Sequence, residues 1–281
     1  MTADHGADRP DTLSGAAPGA ALVPAMGSHL PTHRFFTGVS KQLPFNNRGL
    51  PYYLAAFRTD HFSPDQIDRY EIDFPAQIRN SVVKRQVEFF AGRLCARMIL
   101  DAYGLERHVV ATGKQREPVW PEGFVGSITH SGGYAAAIVC MSNDMVGIGI
   151  DIETIIGSDA RQAMLDLVVG DRELRFLRSR GGSLDIDCLL TLVFSAKESF
   201  FKAAFPQVKR YFDFNAVEIV GIDEALGLIE FRLVDTLSAG LVAGQVHRAH
   251  FDFIGGTSVF TAVLLKGAPG RLRLPVLRQV A

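Results

Sequence analysis

The sequence predicts an α+β protein with mostly antiparallel strands, and three observations predict it. A helical stretch covers about 81–103. A strand–turn–strand pattern follows at 125–140. Alternating strands fill the last third of the chain. The length of 281 residues suits one large domain or two small ones with a substantial core.

The elements follow in order. Residues 1–33 are rich in Gly, Ala, Pro, Asp and Ser and carry few large apolar groups. Such a segment cannot bury enough surface to offset its ordering entropy, so an N-terminal extension without fixed structure is expected. SVVKRQVEFFAGRLCARMILDAY at 81–103 reads as a helix closed by Gly104 as the C′ residue. VGSITHSGGYAAAIVC at 125–140 reads as a hairpin turning at Ser131-Gly132-Gly133. DMVGIGIDIE is a strand running to Glu153. A helical region spans about 159–180 and another 186–205. VEIVGI, LIEFRLV and TSVFTAVLLK are strands. The Pro/Gly-punctuated, basic stretch 267–281 reads as a loosely attached tail. HFDFIGGTSVFTAVLLK echoes FVGSITHSGGYAAAIVC, either by coincidence or because two similar subdomains flank a site.

Composition narrows the class. Lys+Arg number 29 and Asp+Glu 30, a net charge of −1, so no general nucleic-acid binding is expected. Cys95, Cys140 and Cys188 are odd in number and far apart, which argues against a disulfide framework and a zinc site. No run of about 18 apolar residues suggests a membrane span. No basic n-region precedes an apolar stretch, so no signal peptide is read, and a reduced, cytoplasmic setting is the default.

Four constellations could carry chemistry. On a strand, Ile148, Ile150 and Ile152 point one way while Gly147, Gly149, Asp151 and Glu153 point the other. The glycines leave room for a ligand at the backbone. Paired carboxylates invite a cation, and hard oxygen donors favour magnesium. A solvated acidic strand end is the other reading. On a helix, Phe194, Phe201 and Phe205 form a stripe that includes Glu198, with Lys197 and Lys202 on its flanks. A carboxylate facing a packed layer needs pairing or a metal; a Glu198–Lys202 surface pair is the bland alternative. His130, beside Ser127, Thr129 and Ser131, is either a phosphate donor or a structural turn residue. Lys84, Arg85, Arg93 and Arg97 make either a solvated basic face or a phosphate clamp.

These motifs together resemble the 4′-phosphopantetheinyl transferase family. The resemblance is carried by G-I-D-x-E at 149–153, F-S-A-K-E-S-F-F-K at 194–202, S-I-T-H at 127–130 and R-E-P-V-W-P at 116–121. K-R-Q-V-E-F-F-A-G-R-L-C-A-R and F-P-Q-V-K-R-Y-F-D-F are similar to the single-chain enterobactin-synthase and mycobacterial branch. Phe194 stands where many members carry Trp. The resemblance implies transfer of the 4′-phosphopantetheine arm of coenzyme A to a serine of an apo peptidyl or acyl carrier protein, with release of adenosine 3′,5′-bisphosphate. It implies magnesium held by Asp151, Glu153 and Glu198, with Glu198 as base and Lys202 at the leaving phosphate. It implies coenzyme A contacts from Lys197 (pyrophosphate), from Arg85, Arg93, Ser127 and His130, and from Lys114 or Arg116 beside the adenine. Phe205 and Tyr211 would flank the pantetheine. It further implies a monomer of two similar α+β subdomains, 34–145 and 146–266, with the active site between them. The carriers would belong to siderophore or other nonribosomal peptide, polyketide or fatty-acid synthesis. A magnesium-dependent phosphohydrolase of a nucleotide or coenzyme A-like pyrophosphate, and a non-catalytic binding module, use similar residues.

Overall fold

Hairpins organise both halves of the molecule. The computed structural model describes residues 35–42, 50–106, 108–142 and 145–267. The expected extension at 1–33 and the tail beyond Gly267 lie outside the described residues. The first half runs β1 (Phe36–Gln42), β2 (Tyr52–Phe57), α1 (Asp65–Arg69), α2 (Ala76–Arg79), α3 (Val83–Ala102), β3 (Ala111–Thr112), β4 (Pro118–Val119), β5 (Phe124–Ser131) and β6 (Tyr134–Met141). Its main sheet is antiparallel, in the order β1-β2-β6-β5. The β5–β6 loop is Gly132-Gly133, with φ of +57° and +84°. Both central residues of a two-residue loop with left-handed φ make the turn that matches strand twist, and only glycine adopts it cheaply.

The second half runs β7 (Met145–Thr154), α4 (Arg161–Val168), α5 (Asp171–Ser179), α6 (Ile186–Val208), β8 (Val217–Asp223), β9 (Leu228–Leu233), β10 (Val246–Ile254) and β11 (Ser258–Lys266). Its sheet has the order β7-β11-β10-β9-β8, again antiparallel. The helical region expected at 159–180 is two helices. Val169 is extended (φ −116°, ψ 120°), and Glu173 folds back to accept the Gly170 N–H at 2.9 Å. The helix expected to end at 205 continues through Pro206 and closes on Lys209, whose left-handed φ of 54° lets its N–H reach Phe205 O at 2.9 Å.

One unit occurs in both halves: a strand, a long helix, then a hairpin whose second strand pairs with the first strand. It is β2, α3 and β5–β6 in one half, and β7, α6 and β10–β11 in the other. The two segments that echo each other in sequence are these hairpins. β1 to β4 were not anticipated, because short segments at 36–57 and 111–119 carry too few residues for a period to show.

Burial follows the periodicities. Phe90, Ala91, Ala96 and Leu100 of α3 pack on the first sheet, and Leu190, Val193, Phe200 and Ala203 of α6 on the second. A third core joins the sheets. Ile148, Ile150 and Ile152 of β7 meet Ala136, Ile138, Phe260 and Ala262, and Tyr52 stacks on Phe260 at 4.3 Å. The alternation read for β7 therefore buries its isoleucines between the sheets.

The glycine face of β7 corrects the expectation of ligand space. A Cβ on Gly149 would lie 1.8 Å from Ser199 O, and one on Gly147 would lie 1.9 Å from Ala203 O. The missing side chains admit helix α6, so the strand and helix carrying the acidic residues touch backbone to backbone. Gly149→Ala should cost at least about 1–3 kcal/mol, because the obstacle is backbone that cannot rotate away. A urea melt would check this; an unchanged midpoint would mean that α6 tolerates displacement.

Candidate active site

β5 and β7 are edge strands of different sheets, and they run side by side without a backbone ladder. Side chains close the seam. Ile150 N–H donates to Ser127 Oγ at 3.1 Å, and Ile152 N–H donates to Thr129 Oγ1 at 3.0 Å. These N–H groups would otherwise be buried and unpaired. Thr129 has one proton left, and donates it to Asp151 Oδ1 at 3.1 Å. The seam thus fixes the carboxylate directly.

Beside the seam lies a cleft of about 810 Å³. One wall comes from the first half: Arg85, Glu88, Phe89 and Arg93 of α3, and Thr129 and His130 of β5. The other comes from the second half: Asp151 and Glu153 of β7, and Phe194, Glu198, Phe201, Lys202 and Phe205 of α6. The stripe expected on α6 faces the cleft, with Glu198 among its phenylalanines. Tyr211 extends this apolar wall beside Phe201, with ring centroids 5.8 Å apart.

The acidic end is electrostatically loaded. Asp151 is 3 % exposed; its Oδ1 accepts from Lys202 Nζ at 2.7 Å, and its Oδ2 is buried without a partner. Lys202 also donates to Ile150 O at 3.1 Å, so it pairs with Asp151 and not in the surface arrangement with Glu198. Burial, reinforced by Asp151, pushes the Glu153 carboxyl up to about 7. Burial also raises Glu198, with Asp151 adding to the rise and Lys202 opposing it.

A hard divalent cation fits this donor set. Asp151 Oδ2 lacks a partner, and the two neighbouring carboxyl groups are held toward their neutral forms by burial and mutual repulsion. Among the described residues, no three His, Cys, Asp or Glu side chains already form a closed metal cluster. Magnesium characteristically takes one or two carboxylates and completes its shell with water and substrate phosphates, so a closed cage is not what it requires.

The basic end is built differently. Arg93 is 7 % exposed, stacks over Phe89 at 4.9 Å and donates to Thr112 Oγ1 at 3.0 Å. Among the described residues no carboxylate lies within ion-pair distance of it, and burial lowers its pKa to about 10. Asp73 opposes this at longer range, and a buried guanidinium without a contact ion pair favours an incoming anion. Arg85 donates to His130 Nε2 at 2.8 Å. Arg97 instead binds Tyr70 O and Glu71, so it belongs to the scaffold.

Two expected coenzyme A contacts lie outside the cleft, and a third is already engaged within it. Lys197 does not line the cleft. It is 2 % exposed, and its Nζ donates to Val168 O and Glu173, both at 2.8 Å. One residue from Glu198 is about 100° round the helix, which turns Lys197 into the core of the second half. Lys114 is exposed on the β3–β4 turn and does not line the cleft, whereas Arg116 does. Ser127 lines it, but its oxygen is engaged by Ile150 N–H. Glu88 and Thr112 were not singled out from sequence. For Glu88 the signal was its i+3 spacing from Arg85.

Residues 74–140 match the 4′-phosphopantetheinyl transferase N-terminal domain, and residues 147–246 match the 4′-phosphopantetheinyl transferase superfamily. The chain is 35 % identical to 4′-phosphopantetheinyl transferase Svp of Streptomyces mobaraensis over 181 residues, 63 % of this chain and 72 % of Svp. The chain belongs to the 4′-phosphopantetheinyl transferase superfamily. It is also 35 % identical to PptT of Mycobacterium tuberculosis over 53 % of this chain and 64 % of PptT. Enterobactin synthase component D of Escherichia coli K12 is 40 % identical over 46 % of this chain and 59 % of that protein. These relatives agree with the branch read from the sequence. Both domain matches contribute to the cleft, since α3 and β5 fall in the first and β7 and α6 in the second.

The raised Glu153 carboxyl sets a pH-dependent cost. A carboxyl whose pKa is higher in the fold than in the unfolded chain adds stability at low pH. That stability is lost as pH rises through about 7. Glu153→Gln should therefore raise Tm at pH 8 by about 2–4 °C and change it little at pH 5. Thermal melts at the two pH values test this, and an equal shift at both would remove ionisation as the cause.

Proposed function

We propose that the chain transfers the 4′-phosphopantetheine arm of coenzyme A to the serine hydroxyl of an apo carrier protein and releases adenosine 3′,5′-bisphosphate. One observation carries the reading. In a chain of this superfamily, a buried guanidinium without a contact ion pair and an acidic cluster in which Asp151 pairs with Lys202 line opposite walls of one cleft. That arrangement suits a ligand with a phosphate at one end and a pyrophosphate further along.

Arg85, Arg93 and His130 bind the 3′-phosphate, and Arg116 lies on the hairpin turn beside them. Phe194, Phe201, Phe205 and Tyr211 supply the apolar surface for the pantetheine arm. Asp151, Glu153 and Glu198 are the residues that would hold magnesium, which when bound supplies charge neutralisation at the pyrophosphate and polarises its phosphorus. Glu198 takes the proton of the carrier serine, directly or through water; burial raises its basicity. The serine oxygen forms the new bond to phosphorus as the bond to the departing bisphosphate breaks, and the Lys202 ammonium neutralises the charge left there. Thr129 holds Asp151 in place throughout.

The carriers to test first are peptidyl carriers of siderophore-type assembly, because enterobactin synthase component D is among the relatives. Polyketide and fatty-acyl carriers follow. The reading is of a monomer acting in the cytoplasm; among the described residues no helix is long and apolar enough to cross a membrane.

Intact-mass spectrometry of apo carriers incubated with the protein, coenzyme A and magnesium tests the reading. A gain of one phosphopantetheine is expected, lost with EDTA and in Glu198→Gln. Consumption of coenzyme A with no mass gain on any carrier would instead support the phosphohydrolase. Kinetics separate the two basic residues. Arg93→Ala should raise the KM for coenzyme A more than it lowers kcat. Lys197→Met should leave that KM near wild type while lowering Tm, because it strands the buried Glu173 charge. A large KM increase in Lys197→Met would return Lys197 to the ligand set.

A further inference from the structure

His130 lies between two charges on α3. Arg85 Nη1 is 2.8 Å from its Nε2, and Glu88 Oε2 is 3.5 Å from its Nδ1. All three residues line the cleft. A guanidinium can only donate, so Nε2 is the acceptor in that contact. The single proton of the neutral ring therefore sits on Nδ1, where the residue's own backbone accepts from it and Glu88 lies within ion-pair distance. The other charged groups around the ring are Lys84 on α3 and Lys202 on α6. Asp151 and Glu153 of β7 are tied to Thr129 and Ser131 of β5 and not to the ring. Burial, then Arg85 and Lys202, hold the imidazolium pKa down to about 4, so the ring is neutral at pH 7 before a ligand arrives.

A phosphate dianion offers only acceptors. In the present arrangement His130 has no proton at Nε2 to give it. The ring could move its proton from Nδ1 to Nε2 and abandon Glu88, or it could take a second proton. Glu88 favours the second course, because a carboxylate beside Nδ1 retains the proton there and stabilises the imidazolium.

We infer that Glu88 is a positioning residue that holds the Nδ1 proton of His130, so that a phosphate entering the cleft draws Arg85 off the ring and its binding is coupled to uptake of one solvent proton at Nε2. This rests on the functional reading above, which supplies coenzyme A as the phosphate-bearing ligand. The bound state then carries one proton more than the free state. Affinity falls as pH rises from the free-ring value of about 4 to the pKa of the complex, by up to about tenfold per pH unit, and levels off above it. Glu88 touches neither the pyrophosphate nor the serine in this scheme; it acts through the ring.

Calorimetry of coenzyme A binding to the full chain tests the coupling. The titrations are run in EDTA at about pH 7.5, above the second phosphate ionisation at about 6, in buffers of different ionisation enthalpy. Wild type should take up protons with coenzyme A and not with 3′-dephospho-coenzyme A. Glu88→Gln should reduce the uptake and weaken coenzyme A on the order of tenfold, more than it weakens the dephospho form. A second measurement does not depend on that variant folding. The ring nitrogens of His130 in wild type, assigned by their absence in His130→Gln, should change from one protonated nitrogen to two when coenzyme A binds. Binding without proton uptake, equal uptake in Glu88→Gln, or a shift of the single proton to Nε2 would each overturn the inference while leaving the transferase reading intact. Absence of any coenzyme A binding would overturn that reading and the inference with it.

Discussion

Two sheet edges meet without pairing, and the cleft depends on how they are joined. A backbone ladder between β5 and β7 would make one continuous sheet. Here Ser127 and Thr129 accept the β7 N–H groups through their hydroxyls. The junction satisfies the buried donors without merging the sheets. Beneath it, Ile148, Ile150 and Ile152 close the core between the halves. Because Thr129 donates onward to Asp151, the bond network that joins the halves also orients the most buried acid of the cleft.

The two walls are loaded with opposite and incompletely compensated charge. On one side Arg93 is buried against a hydroxyl, a backbone carbonyl and a ring, with Asp73 opposing its charge only at longer range. On the other, three carboxyl groups share one ammonium, and burial raises two of them. Each arrangement is costly in an empty cleft, since a buried charge is stable only when paired. A ligand with phosphates, together with a cation, relieves both. The favourable binding term is thus stored as unsatisfied electrostatics in the scaffold, a form of preorganisation that avoids reordering at the moment of reaction.

Much of this was legible in the sequence, and the legible part has a common character. The β7 alternation and the Phe194–Glu198–Phe201–Phe205 stripe are periodic within one segment, so they reveal their own orientation. The paired hairpins were legible as an echo because glycine-bounded turns leave a mark. What stayed hidden depends on partners distant in the chain. Lys197 turns inward because Glu173, on another helix, is already fixed by the N–H groups of Gly170 and Ile219. Gly147 and Gly149 advertise an open face, but only the packing shows that α6 fills it. Glu88 reads as one charge of a solvated helix until β5 brings His130 against it.

The recurring strand–helix–hairpin unit gives those differences a structural logic. In each half a long helix packs on the sheet through glycine: Gly92 of α3 meets Ile128, and Gly147 and Gly149 of β7 meet α6. The glycine sits on the helix in one half and on the strand in the other, so the close approach is shared while its details, and the side chains facing the cleft, are not. The first half presents Arg85, Arg93 and His130 to it; the second presents Asp151, Glu153, Glu198 and Lys202. Close packing by glycine constrains backbone spacing but leaves the exposed helix face free to vary. Two copies of one unit can then hold a ligand of alternating chemistry between them, provided the seam keeps their edges in register. That requirement falls on Ser127 and Thr129, two small hydroxyl residues on the strand that also carries His130.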